Sequence, residues 1–174
     1  MRSYFPRILV ISAAIVLIAQ VAAPSRARAE TDWSVSLGAL FGVKPDISDR
    51  RYAGALTAQS EYRITGPLWF AMGARFAFNH RYFGWAIQPG IMLKFDAGHG
   101  LEPTLRAQIM VGSQHMYSDF TAFNYFLGGV VGPGLRFKLE KLSLFLEVAI
   151  ELAGRLPGYD SMYLGVLPAF GFVF

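Results

Sequence analysis

The sequence predicts an all-β fold: an eight-stranded antiparallel up-and-down transmembrane β-barrel over residues 30–174, preceded by a cleaved signal peptide at residues 1–29. Three observations lead there. The N-terminal residues have the order of an export signal. The rest of the chain repeats a two-residue apolar period over eight segments. Charge is scarce, at 16% of residues against about a quarter in an average soluble domain, and it keeps to one face of each segment.

Arg2 and Arg7 give a basic start, Ile8 to Ala23 an apolar run interrupted only by Ser12 and Gln20, and Ala27-Arg28-Ala29 a small-residue site. This is the order of a secretory signal, with cleavage expected after Ala29. An uncleaved helical anchor is the rival reading, but the run is short for a span. Arg2, Arg7, Arg26 and Arg28 leave with the signal, so 12 of the 16 basic residues remain against 12 acidic ones. A neutral mature chain gives no charge argument for nucleic-acid binding. The absence of Cys excludes disulfides, thiolate metal sites and a Cys nucleophile.

Alternate side chains of a strand face opposite sides, and a membrane barrel turns its apolar side to lipid and its polar side inward. In residues 33–42, Trp33, Val35, Leu37, Ala39 and Phe41 oppose Ser34, Ser36, Gly38 and Gly42. In 54–64, Leu56, Ala58, Tyr62 and Ile64 oppose Thr57, Gln59, Glu61 and Arg63. In 68–79, Leu68, Phe70, Met72, Ala74, Phe76 and Phe78 oppose Gly73, Arg75 and Asn79. In 83–95, Phe83, Trp85, Ile87, Pro89, Ile91, Leu93 and Phe95 oppose Gly84, Gln88, Gly90 and Lys94.

The second half continues the pattern. In 101–112, Leu101, Leu105, Ala107, Ile109 and Val111 oppose Glu102, Thr104, Arg106 and Gln108. In 123–138, Phe123, Tyr125, Leu127, Val131, Leu135 and Phe137 oppose Gly128, Gly132, Arg136 and Lys138. In 142–152, Leu142, Leu144, Leu146, Val148, Ile150 and Leu152 oppose Ser143, Glu147 and Glu151. In 162–174, Met162, Leu164, Val166, Phe170, Phe172 and Phe174 oppose Gly165, Ala169 and Gly171.

No charge falls on an apolar face, as expected where a midplane charge facing lipid costs about 2–4 kcal/mol. A soluble sandwich or lipocalin-like barrel would turn its polar face to water. That face would then be rich in Lys, Glu and Thr, whereas here it is mostly Gly, Ala and Ser. Thr65-Gly66-Pro67, Asp96 to Gly100 and Leu139 to Lys141 read as short turns. The alternate connections, 43–53, 80–82, 113–122 and 153–161, are longer in three cases of four, the asymmetry of outer-membrane barrels. Trp33, Tyr62, Phe95 and Phe137 then lie near one rim, and Phe41, Phe78, Phe83, Trp85, Phe123 and Tyr125 near the other. Pro89, Pro133 and Pro168 each stand six residues before an apolar strand end, and strand prolines of this kind predict local bulges.

Phe174, with Phe172 and Phe170 at period two before it, resembles the C-terminal insertion signal of bacterial outer-membrane proteins. With the eight segments, the chain resembles the small barrels of the OmpX-like, OmpW-like and OmpA-barrel group. The resemblance implies an outer-membrane location and recognition of Phe170, Phe172 and Phe174 by the barrel assembly machinery. It also implies contact with lipid and lipopolysaccharide. The expected role is structural or interactive. An OmpW-like narrow passage for small apolar molecules is the alternative, and a lipid A-modifying enzyme a more distant one.

The inward charges Glu61, Arg63, Arg75, Lys94, Glu102, Arg106, Arg136, Lys138, Glu147 and Glu151 must pair if the lumen is narrow. Glu147 and Glu151 facing Arg106 and Arg75 is the expected pairing, and the resulting ladder plugs the barrel. Inward Trp69, Phe126, Val130 and Leu167 are a faint sign of an apolar lumen wall. Lys44, Arg50, Arg51, Arg81 and Arg155 lie on the longer connections, where Arg would suit lipid A phosphates. His80, His99 and His115 show no metal-binding spacing. His115 and Ser118 are separated by two residues where lipid A deacylases have one, and they fall on an expected loop. No catalytic residue, metal or cofactor is expected.

Overall fold

The computed structural model describes residues 31–45, 52–80, 82–116, 119–139, 142–156 and 162–174. The expected signal peptide lies outside the described residues. Eight strands follow in order: β1 (Thr31–Pro45), β2 (Tyr52–Thr65), β3 (Leu68–Phe78), β4 (Tyr82–Lys94), β5 (Leu101–Met116), β6 (Asp119–Lys138), β7 (Ser143–Arg155) and β8 (Met162–Val173). Each pairs antiparallel with its sequence neighbour, and β1 pairs with β8, so the sheet closes into a barrel without an edge. Closure is what permits strands in lipid, because no backbone donor is left facing hydrocarbon.

The alternation read from the sequence sorts the side chains. Along β7, Leu144, Leu146, Val148, Ile150 and Leu152 are exposed, while Glu147, Ala149, Glu151 and Ala153 are buried. On β8, Phe170 and Phe172 face outward beside buried Gly171 and Val173. The core is therefore the lumen, and the exposed apolar surface is the outer wall. Gly112 and Gly128 face inward, where a Cβ would run into backbone of the adjoining strand. Glycine lets the wall close tightly there.

The two ends differ. Gly66, with φ +48°, turns β2 into β3. Between β4 and β5, the Asp96 carboxylate accepts a bond from Gly98 N at 2.9 Å, and Gly98, His99 and Gly100 all have positive φ. These turns and the C-terminal Phe174 mark what we term the turn end; the other is the loop end.

Two expectations need correction. Residues 113–122 are not a loop, because Ser113–Met116 belong to β5 and Asp119 opens β6. These strands have 16 and 20 residues, where a tilted strand needs about 9–11 to cross, so the pair continues past the apolar zone. Nor do the three prolines mark bulges. The ladder skips from Ile87↔Val111 to Gly90↔Gln108 at Pro89, from Val131↔Ile150 to Gly134↔Glu147 at Pro133, and from Gly38↔Ala169 to Phe41↔Val166 at Pro168, each time in the same register. Proline has no N–H to donate, so a rung is lost without a residue being added. The register shifts lie elsewhere, at Gly42/Lys44, Arg63/Thr65 and His115/Met116.

Candidate functional site in the barrel lumen

Strand parity turns a polar row from nearly every strand into the lumen, and closure brings rows from distant strands together. Buried at the turn end are Glu61 from β2, Lys94 from β4, Glu102 from β5 and Arg136 from β6. Lys94 Nζ reaches Glu61 at 2.8 Å and also pairs with Asp32 of β1. Its ammonium stands 3.2 Å from the centre of the Trp69 ring. The Arg136 guanidinium donates to the other Glu61 oxygen and lies 3.4 Å from Asp32 and 3.7 Å from Glu102. Lys138 Nζ closes the mouth on Glu102 at 2.7 Å.

The network continues toward mid-barrel. Gln59 Nε2 donates to Glu61 at 2.8 Å, and its carbonyl accepts from Gln108 at 3.0 Å and from Arg106 at 3.3 Å. Arg106 in turn pairs with Glu147. Arg75 pairs with Glu151 nearer the loop end, and its guanidinium also contacts the Met110 sulfur at 2.9 Å. Five acids (Asp32, Glu61, Glu102, Glu147, Glu151) meet five bases (Arg75, Lys94, Arg106, Arg136, Lys138). That balance is what allows them inside, since an unpaired buried charge costs several kcal/mol.

One sequence-predicted member stands elsewhere, and another only caps the network. Arg63 is exposed, on the last in-register rung before the shift that ends the β2 pleat, and its Nε donates to Gly66 O at 3.2 Å. The Lys138 side chain is 53% exposed and caps the network from outside. Asp32 escapes the sequence reading because the apolar period opens at Trp33, one residue later. Its even number, shared with Ser34 and Ser36, is the available signal.

Beyond Arg75 and Glu151 the lumen is mainly apolar, with Gln114 as a buried polar side chain on its wall. Leu40, Met110, Phe126, Val130, Tyr163 and Leu167 form one buried cluster with alanines of four strands. A cavity of about 20 Å³ lies against Leu40, Met110, Phe126 and Tyr163, with the Arg75–Glu151 pair on its wall. One half of the lumen is thus filled by ions and the other chiefly by hydrocarbon.

The remaining sequence candidates are scattered. Arg155 is exposed at the end of β7, Lys44 lies on β1, and Arg50, Arg51 and Arg81 fall outside the described residues, as does Ser118. His115 Nε2 instead lies 3.0 Å from Ser113 Oγ. Among the described residues no cluster could hold a metal ion. Phe170, Phe172 and Phe174 all project from the outer wall at the turn end.

No protein-family model matches the chain, and a comparison with curated proteins finds none similar. Solved structures do match. Neisserial surface protein A is similar with a TM-score of 0.70 at 13% identity, covering 82% of this chain and 95% of its own. The N-terminal β-barrel domain of Pseudomonas aeruginosa OprF gives 0.51 at 15% identity, covering 82% and 97%. Ail, the attachment invasion locus protein of Yersinia pestis, solved with the heparin analogue sucrose octasulfate, gives 0.51 at 12%, covering 83% and 97%. At such identities the likeness speaks for the fold alone, and that fold is the small eight-stranded barrel of outer-membrane proteins.

Proposed function

We propose that this chain is an integral outer-membrane protein whose barrel is a closed platform for structure and interaction, with no axial pore. The observation that carries the reading is the unbroken run of ion pairs and hydrogen bonds from Lys138 through Arg136, Glu61 and Gln59 to Arg106 and Glu147. An eight-stranded lumen is only wide enough for its own side chains, and these side chains are locked to one another. In planar lipid bilayers the wild-type protein is expected to give no steady conductance. Lys94→Ala with Arg136→Ala, which removes both buried cations of the turn end, is expected to give measurable current. A steady wild-type channel would overturn the reading.

The location has its own test. The protein is expected in purified outer membranes, beginning at Glu30 after cleavage behind Ala29, and changing gel mobility on boiling. Phe170, Phe172 and Phe174 serve as the signal for the assembly machinery. Exposed Arg155, with Lys44, Arg50, Arg51 and Arg81, contacts lipid A phosphates. Gln at all five positions is expected to leave folding intact and to weaken lipopolysaccharide binding.

A second reading, a passage for small apolar molecules, draws on the apolar loop half of the lumen and the cavity beside Leu40. Such a passage cannot run the length of the barrel through the charged half, so it would have to leave sideways.

A further inference from the structure

Three features converge on the seam between β1 and β8. The ladder is interrupted there twice: by the lost rung at Pro168, between Gly38↔Ala169 and Phe41↔Val166, and by the register shift at Gly42/Lys44 further toward the loop end. Among the described residues, no other seam carries both a proline gap and a shift. The wall at the gap is thin. Ala39 is its short lipid-facing residue on β1, and a Cβ at Gly38 would stand only 2.8 Å from Leu167. Behind the gap lie Leu40 and Leu167, both buried, and Leu40 also lines the loop-half cavity.

The other two proline gaps differ in what backs them. Behind Pro89 stand Gln88, buried and polar, and Met110, whose sulfur meets the Arg75 guanidinium. Behind Pro133 stand Gly132 and Ala149, packed against each other. Of the three gaps, only the one at Pro168 has large aliphatic side chains on both strands behind it, with a cavity beside them.

We propose that the β1–β8 seam at Ala39–Leu40 and Leu167–Pro168 is a side door, and that the group passing it is the aliphatic chain of a membrane lipid. The door is apolar on both sides, so the group that crosses it is apolar too. Arg75 and Glu151, the nearest charges on the cavity wall, are engaged with each other. The chain end enters by displacing Leu40 and Leu167, which are held by packing and not by hydrogen bonds. The inference rests on the membrane location proposed above, but not on whether the lumen conducts along its axis.

The test uses the folded protein in phosphatidylcholine vesicles containing a lipid with a photoactivatable diazirine in mid-chain. After illumination, adducts are mapped by mass spectrometry. Lipid-facing Ile109 and Ile150 are the internal standard. The expected result is additional labelling of Leu40, Tyr163 and Leu167. Pro168→Val supplies the missing N–H and is expected to cut that labelling by about tenfold, the value of roughly one net backbone hydrogen bond. A Phe41→Cys/Val166→Cys disulfide across partner positions of the same seam is expected to abolish it, with restoration on reduction. Labelling confined to the outer wall in the wild type would overturn the side door and leave the membrane reading standing. Interior labelling that survives the disulfide would place the entrance elsewhere and overturn it too. No labelling of Ile109 or Ile150 would mean that the membrane reading itself had failed.

Discussion

Lys94 lays its ammonium 3.2 Å from the centre of the Trp69 ring while its charge is shared between Glu61 and Asp32. The aromatic face supplies a contact where a further carboxylate would have unbalanced the lumen. Trp69→Leu keeps the burial and removes the ring quadrupole. It is expected to cost about 1–2 kcal/mol, the range of a desolvated cation–π contact, as measured by urea unfolding from lipid vesicles. A neutral outcome would mean that the carboxylates alone hold Lys94.

Arg75 and Glu151 are buried at the border of the apolar half and paired with each other. Glu151→Leu alone strands the guanidinium and is expected to destabilise by about 3–5 kcal/mol. Arg75→Met together with Glu151→Leu is expected to come within about 1 kcal/mol of wild type or to exceed it, because replacing a whole buried pair by hydrocarbon is often neutral or better. A double variant as poor as the single one would show that the pair does more than neutralise itself.

Gln88 is 1% exposed, and neither end of its amide finds a hydrogen-bond partner among the described residues. Gln88→Met keeps the length and drops the polar atoms. It is expected to be neutral or to stabilise by about 1–3 kcal/mol, the usual penalty of an unmet buried polar group. Clear destabilisation in the same unfolding assay would mean that ordered water serves the amide.

Ile150 and Ala149 are neighbours on β7 that face opposite media. Ile150→Arg is expected to cost about 2–4 kcal/mol through lipid exposure of the charge. Ala149→Leu, at a position with no free surface, is expected to cost about 1–3 kcal/mol through overpacking. If the two responses were exchanged, with Arg tolerated at 150, the outer wall would be facing water.

Removing Phe174 is expected to lower the amount of barrel in the outer membrane of cells while leaving refolding from urea into detergent unchanged. The difference between the two readouts separates recognition by an assembly partner from stability. Equal losses in both would make Phe174 merely structural.

The alternation that sorts Leu146 from Glu147, or Ile109 from Gln108, is legible directly because an apolar outer wall on one side and a crowded lumen on the other leave no room for exchange. Parity states a face but not a height, so it does not separate Arg63, at the exposed end of the ladder, from Glu61, deep in the network. It is silent on Asp32 and on the upper part of β5, since both lie where apolar residues are no longer required. The prolines mislead for a related reason. Pro133 shows that a donor is missing, but whether a residue is inserted depends on both partner strands, and the register there is unbroken.

The β5–β6 ladder holds its pairing from Leu101↔Phe137 as far as His115↔Phe123 and Met116↔Asp119. Its tip is therefore carried on a stiff mast, flanked by β4 as far as Tyr82↔Met116 and standing clear of β7, whose last rung is Phe126↔Arg155. A short foreign epitope grafted between Met116 and Asp119 would be shown to an antibody at a fixed height, with little ordering left to be done on capture. That makes this hairpin the natural place on the molecule for surface display.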